Sequence, residues 1–325
     1  MPTLRTNDLS EFVRVIDEEY GGNLNAPGVA ERFYPMELEF STKVNQNLDP
    51  FSIEYYNNQL RLYEEIAGRA LDQWSGELHP VDVASLAVAA NPLGITNAGH
   101  VSEHVRALAA MLKLSDLGET PQILDMGAGH GLSSELFAFC GCQVSAVDID
   151  PELTKLSNQR SAARSLKIKR YNLNYDDLSM LPEDRYEAAF FFQSLHHSLR
   201  PWELIRDLHS KLVSGGLIAF TGEPIDAPHW KHWGLRMDQE SIYVARKFGW
   251  FESGWSHEFI RQCFSINGYA LTFFSGGHGG GEIAIASADA TKVQAAETRA
   301  AAMGLTVRFP VCSGLPGSPA TLHCN

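Results

Sequence analysis

The chain has 325 residues, is 44% hydrophobic and 20% charged, and carries a formal net charge of -13. That hydrophobic content supports a large buried core in one large domain or two, and it excludes wholesale disorder. The acidic balance argues against a general nucleic-acid binder, whose phosphate contacts need a basic face, so no nucleic acid is expected among the partners.

The first twenty residues include Asp8, Glu11, Asp17, Glu18 and Glu19 and lack the basic start and apolar run of a secretory leader. No apolar stretch reaches the roughly 20 residues that a bilayer crossing needs. Five cysteines, an odd number without paired spacing, give no disulfide framework. Cys140-Gly-Cys142 is too tight for the usual zinc spacing and is expected in the core or at a strand edge. This usage fits a reducing compartment, and a cytoplasmic location is expected.

Up to about residue 117 the chain reads mainly as helices and loops. Leu60, Leu62, Ile66, Ala70 and Leu71 give residues 55–74 a helical apolar period, and Val105, Leu108, Ala109 and Leu112 do the same for 101–114. Asn91-Pro-Leu-Gly94 is a turn between elements. From Thr120 the pattern changes to alternating strands and helices. Strands are predicted at 122–126, 143–147, 167–171, 186–192, 216–221, 269–274 and 282–286, and helices at 131–139, 151–163 and 202–213. Pro151 and Pro201 sit where a first helical turn accepts proline. The alternation predicts a parallel sheet with helices on both faces. The last two strands are joined by Gly276-Gly-His-Gly-Gly-Gly281, too short for a crossover, and should be antiparallel neighbours. The basic run Arg160, Arg164, Lys167, Lys169 and Arg170 reads as a solvated helix end. A helix is predicted at 292–303, followed by a Gly- and Pro-containing tail to Asn325.

The densest motif is Ile123-Leu-Asp-Met-Gly-Ala-Gly-His-Gly131. An apolar strand enters a turn with glycines at 127, 129 and 131 and then a helix. Glycine lets the backbone turn tightly and approach a ligand, and the helix N-terminus offers free N–H groups. A dinucleotide fingerprint would place its third glycine at 132, which is Leu here. The second strand ends in Asp148, a carboxylate able to accept both hydroxyls of a ribose, as dinucleotide and S-adenosylmethionine (SAM) sites both require.

These residues resemble the class I SAM-dependent methyltransferases, over residues 120–288. The resemblance implies an α/β, Rossmann-like, seven-stranded, mostly parallel sheet with an antiparallel C-terminal hairpin, and SAM as cofactor. Carried over by position, Gly127, Ala128, Gly129 and Gly131 would line the methionine and ribose, and Asp125 would lie near the methionine amino end. Asp148 would hold the ribose and Ile149 would pack on the adenine. Asn174-Tyr175-Asp176-Asp-Leu178 resembles the adenine-recognition segment, with Asn174 where an acid is common and Asp176 as the alternative contact.

On the family pattern the end of the fourth strand faces the methyl group, making Gln193, His196 and His197 site candidates. If the acceptor is a hydroxyl, a histidine suits removal of its proton near neutral pH. Glu223, in Gly222-Glu-Pro-Ile225, and His229 are further catalytic candidates. The stretch His229-Trp-Lys-His-Trp-Gly-Leu-Arg236 and Phe248-Gly-Trp-Phe-Glu252 offers aromatic faces suited to a flat hydroxylated ligand. His229 and His232 lack a third placed ligand, so no metal is expected.

The flanks, through Asn47-Leu-Asp-Pro-Phe-Ser52, His79-Pro, Asn91-Pro-Leu-Gly94, Gly222-Glu-Pro-Ile225 and Trp233-Gly-Leu-Arg236, resemble methyltransferase modules of bacterial glycan biosynthesis. The resemblance implies a helical N-terminal cap over residues 1–117, a SAM-binding domain over 118–290 with a 224–255 insertion, and a C-terminal helix and tail over 291–325. The leading expectation is O-methylation of a sugar or glycan intermediate with a histidine base. A small-molecule or natural-product methyltransferase is the alternative, with Phe191, Phe192 and Trp230 on its side. A SAM-fold binding protein without activity and a nicotinamide oxidoreductase are two further possibilities; the intact glycines and Asp148 oppose the first, and Leu132 with the hairpin opposes the second.

Overall fold

The structure, a computed structural model, describes residues 3–33, 37–74, 78–175, 177–183, 185–225, 229–276 and 281–311. The chain opens with β1 (Thr3–Arg5), α1 (Leu9–Tyr20), α2 (Pro27–Phe33), β2 (Glu37–Glu39), α3 (Ile53–Ala67), α4 (Val83–Val88) and α5 (Ala98–Ser115). The alternating region follows as β3 (Gln122–Met126), α6 (Leu132–Phe139), β4 (Gln143–Asp148), α7 (Pro151–Arg164), β5 (Ile168–Asn172), β6 (Tyr186–Phe192), α8 (Pro201–Leu208) and β7 (Leu212–Thr221). It continues as β8 (Trp233–Leu235), α9 (Gln239–Phe248), β9 (Ser253–Trp255), α10 (His257–Ser265), β10 (Ala270–Ser275), β11 (Ile283–Ser287), α11 (Ala290–Ala302) and β12 (Thr306–Arg308).

Two units result: Met1–His79 with Pro224–Phe259, and Pro80–Glu223 with Ile260–Asn325. The boundary differs from that expected at 117. Helix α5 buries Leu108, Met111 and Leu114 in the core of the sheet, and α4 shares a small cluster of Val83, Leu153 and Leu156 with α7. Residues 80–117 therefore belong with the sheet, and the 224–255 stretch belongs with residues 1–79.

The first unit is built on α1, α3 and α9. Phe12 of α1 meets Phe33 edge-on at 5.0 Å and Tyr243 of α9 at 6.3 Å. Helix α3 ends at Ala67, not at 74, because Gly68 adopts a left-handed conformation (φ 71°) and its N–H returns to the Glu64 carbonyl. Tyr55 Oη donates to the Trp233 carbonyl at 2.6 Å, Trp233 Nε1 to the Pro50 carbonyl at 2.8 Å, and Trp230 Nε1 to the Leu235 carbonyl at 2.6 Å. Trp230, Trp233 and Phe251 are 7%, 1% and 0% exposed. All three are core residues, both indole N–H groups are satisfied, and the aromatic platform expected from the sequence is not formed by them.

The second unit holds an eight-stranded sheet in the order β12-β10-β11-β7-β6-β3-β4-β5. Strands β3 to β7 are mutually parallel, and β10 and β11 form the expected antiparallel pair, with β11 antiparallel to β7. All seven predicted strands are present; the eighth, β12, adds antiparallel to β10 at the edge. The helix expected over 202–213 stops at Leu208 because Leu212 already pairs with Tyr186 in the sheet. On one face Leu108, Met111, Phe137, Ala296 and Ala300 pack on Ile123, Phe190, Leu217 and Ile285. Burying each such large side chain is worth about 1.5–3 kcal/mol. Among the described residues no helix is long and apolar enough to cross a membrane, and Cys140, Cys142 and Cys263 are free thiols.

Candidate functional site

Strand β3 lies between β4 and β6, so the strand order reverses there. Chains leaving the carboxyl ends of β3 and β6 diverge, which opens a crevice at the sheet edge. Ser194, after β6, donates from Oγ to the Met126 carbonyl at the end of β3 at 2.7 Å and ties the two exits together.

Gly127, Gly129 and Gly131 all have positive φ, at 65°, 49° and 95°. A Cβ on Gly127 would stand 2.1 Å from Tyr175 Oη, whereas one on Gly129 or Gly131 would meet no atom within 4 Å. Gly127 is therefore required by packing, and Gly129 and Gly131 present bare backbone. Asp125 is 1% exposed and accepts hydrogen bonds from the hydroxyls of Ser133 and Ser134 in the first turn of α6. Burial raises its pKa despite those bonds. Asp125 thus anchors the helix that follows the loop.

Asp148 closes β4. Its Oδ2 accepts the Gly129 N–H at 2.7 Å and its Oδ1 accepts the Asp150 N–H at 3.0 Å. Ile149 follows, half-buried, and Asp150 caps α7 by accepting the Glu152 N–H at 2.7 Å. Asn174 is 6% exposed. Tyr175 reaches over Gly127, and its hydroxyl donates to the Ser194 carbonyl at 3.3 Å. Burial raises that phenol well above its ordinary value. The expected alternative Asp176 lies outside the described residues.

After β6, Gln193 is exposed and holds a left-handed backbone (φ 53°), a strained conformation for a residue with a side chain. The next residues form a 3-10 turn, Leu195–His197, around one carboxylate. Glu223, at the end of β7, accepts the N–H groups of Ser194, Leu195 and His196 at 2.9, 3.0 and 3.1 Å. Its Oε2 also lies 2.7 Å from His196 Nδ1. The Glu223 side chain is 0% exposed. Burial pushes its pKa up, but the contact with His196 and these backbone donors win, and the net direction is down. The His197 ring lies 4.4 Å from that of His196. His229 belongs to the first unit, beside Phe40 and Trp230, where burial lowers its pKa.

Sequence reading missed several participants. Ser133, Ser134 and Ser194 carry no motif of their own. The basic run is not a solvated helix end at its two ends: the Arg160 side chain is buried, with Nη2 on Glu135 at 2.9 Å and Nη1 on the Leu86 and Ala89 carbonyls at 2.6 and 2.9 Å. The Arg170 side chain is also 0% exposed. His104 on α5 meets Phe192 edge-on at 5.3 Å; its spacing of four from His100 on a helix was the available signal.

Residues 124–220 match the family model described as "Methyltransferase domain". The ubiquinone biosynthesis O-methyltransferase of Xanthomonas campestris pv. campestris (strain B100) is 33% identical over 97 residues, 30% of this chain and 41% of the relative. That of Xanthomonas oryzae pv. oryzae (strain PXO99A) is 27% identical over 173 residues, 53% of this chain and 64% of the relative. The chain thus spans less than two thirds of the length of these curated relatives. Among solved structures, a SAM-dependent methyltransferase from Aquifex aeolicus is similar at 13% identity and a TM-score of 0.44, covering 64% of this chain and 98% of that one. One from Mesorhizobium loti is 18% identical with a TM-score of 0.42, covering 56% and 95%. Residues 124–220 form a SAM-dependent methyltransferase domain, an enzyme domain whose cofactor is S-adenosyl-L-methionine.

Proposed function

We propose that the whole protein methylates a hydroxyl oxygen of a small-molecule acceptor, with His196 as general base. When bound, S-adenosyl-L-methionine supplies a methyl group on a sulfonium that leaves as a neutral thioether. The bare backbone of Gly129 and Gly131 suits close approach of that cofactor. In this reading Gly127, Ala128, Gly129 and Gly131 run beside its methionine and ribose, Asp148 receives the ribose hydroxyls, and Ile149 packs on the adenine. Asn174 and Tyr175 bound the adenine side, Asp125 supports the methionine end through α6, and Gln193 lies at the methyl.

The observation that carries the base assignment is the 2.7 Å contact between His196 Nδ1 and Glu223. A carboxylate there keeps the proton on Nδ1 and leaves the lone pair of the neutral ring on Nε2. His196 then takes the acceptor's proton at Nε2 as the oxygen is methylated, and Glu223 stabilises the imidazolium that forms. His197, whose ring lies beside that of His196, serves as an acceptor-binding group. The free thiols suit action in a reducing cytoplasm.

For the acceptor, a sugar or glycan intermediate rests on the short flanking motifs alone, since Trp230 and Trp233 are core residues. A ubiquinone-biosynthesis intermediate is the second reading, favoured by the names of the curated relatives. Calorimetric titration with SAM, S-adenosylhomocysteine and NAD tests the cofactor; binding of NAD alone would overturn the reading. Methyl transfer from labelled SAM across nucleotide sugars, glycans and phenolic acceptors then decides between the two classes.

A further inference from the structure

Arg170 projects from β5, two strands away from the glycine loop, and its side chain is 0% exposed. Nη2 donates to the Gly129 carbonyl at 2.8 Å and lies 3.5 Å from Asp148 Oδ2. Nε and Nη1 are buried and have no hydrogen-bond partner. Burial takes the Arg170 pKa down, and the charges of Asp148, Asp125 and Asp150 counter that cost only in part.

Packing alone does not account for this residue. An apolar side chain of similar volume would avoid the desolvation of a cation and the two unmatched donors, and such replacements commonly leave a fold as stable or more so. What an apolar chain cannot do is hold Gly129. That residue is gripped at both of its peptides: its N–H by Asp148 and its carbonyl by Arg170. A glycine loop loses more conformational freedom on ordering than any other, so a loop fixed beforehand binds a ligand with less loss.

We propose that Arg170 is a positioning residue for the cofactor, fixing the Gly129 peptide and the Asp148 carboxylate in the arrangement that receives the ribose hydroxyls of SAM. This rests on the methyltransferase reading. Arg170 touches the loop and the carboxylate, and it acts on binding through them. A lysine at 170 keeps the charge but offers one ammonium in place of a planar fork, so it replaces the function only in part.

The test is calorimetric titration of the full chain with SAM in wild type, Arg170→Met, Arg170→Lys, Asp148→Asn and the Arg170→Met/Asp148→Asn pair, with melting temperatures recorded for each. Arg170→Met should weaken SAM by about ten-fold or more, Arg170→Lys by less, and the Met substitution should cost under about three-fold in the Asp148→Asn background, since coupled neighbours are not additive. SAM affinity within about two-fold of wild type in Arg170→Met, or an equal loss in both backgrounds, would overturn the proposal. If Arg170→Met does not fold, Arg170→Lys decides: affinity equal to wild type overturns the idea, and an intermediate loss supports it. Failure of the wild-type protein to bind SAM is a separate result, seen before any variant is made, and it sinks the methyltransferase reading itself.

Discussion

Glu223 holds His196 twice, through Oε2 to the ring Nδ1 at 2.7 Å and to the backbone N–H at 3.1 Å. One buried carboxylate therefore fixes both the orientation of the imidazole and the turn that carries it. The cost of burying the charge is offset by the donors of Ser194 and Leu195 as well.

His196→Gln should lower turnover by about 10²- to 10⁴-fold, the usual contribution of a general base. SAM affinity should stay within about three-fold, since the ring is assigned to the acceptor's proton and not to the cofactor. Steady-state kinetics with the acceptor found in the screen, beside calorimetry, separates the two. Equal small effects on both would return His196 to a structural role.

Glu223→Gln should reduce both turnover and stability. The amide keeps one acceptor oxygen but turns an NH₂ toward groups that themselves donate, leaving buried donors unmatched at about 1–3 kcal/mol. The wild-type carboxyl has a folded-state pKa below its ordinary 4.5. Its stabilisation is complete above that value and is lost as pH falls through the lowered folded value. Urea unfolding should show the wild-type advantage over Glu223→Gln at pH 7 shrinking below about pH 4.5.

Much of this was legible in the sequence because the signals are local. Period-two and period-3.6 patterns located seven strands, and the spacing of Gly127, Gly129 and Gly131 located the loop. β12 was not legible: three residues with Thr306 and Arg308 exposed leave no apolar pattern. The pairing of Glu223 with His196 spans 27 residues, and only the sheet order brings them together. Arg160 and Arg170 were misread because a charge run says nothing of which positions turn inward; Arg160 meets Glu135 from another helix, and Arg170 meets a loop two strands away. Trp230 and Trp233 resemble a binding face in sequence, yet their N–H groups find carbonyls within their own unit.

Asp148→Ala should weaken SAM by about 1.5–3 kcal/mol, the worth of hydrogen bonds to a charged group, or about 10- to 100-fold. It also removes the acceptor of the Gly129 N–H, so part of the loss would come through the loop. Calorimetry checks it; unchanged affinity would mean that the ribose lies elsewhere.

Gly127→Ala and Gly131→Ala should behave differently. Both place a side chain at positive φ, which costs about 1–2 kcal/mol. Only at 127 does the new methyl collide, with Tyr175 Oη at 2.1 Å and Ser194 Cβ at 2.5 Å. Gly127→Ala should therefore lose more stability in urea unfolding, while Gly131→Ala should fold and show its effect in SAM titration. Similar melting losses for both would contradict the packing reading of Gly127.

Glu65 gives a pH test confined to the first unit. Its carboxylate accepts the N–H groups of Ser41 and Thr42 at 2.7 and 2.8 Å. Burial pushes its pKa up, but those donors prevail and take it from 4.5 down to about 2. A depressed folded-state value means stabilisation present above pH 4.5 and lost progressively as pH falls toward 2. Glu65→Gln should cost about 1–2 kcal/mol at pH 7, discounted for the partial exposure of the group. The gap between wild type and variant should narrow as unfolding is repeated from pH 5 down toward pH 2. A gap that stays constant across that range would show that the carboxylate's charge is not what holds the Ser41–Thr42 turn.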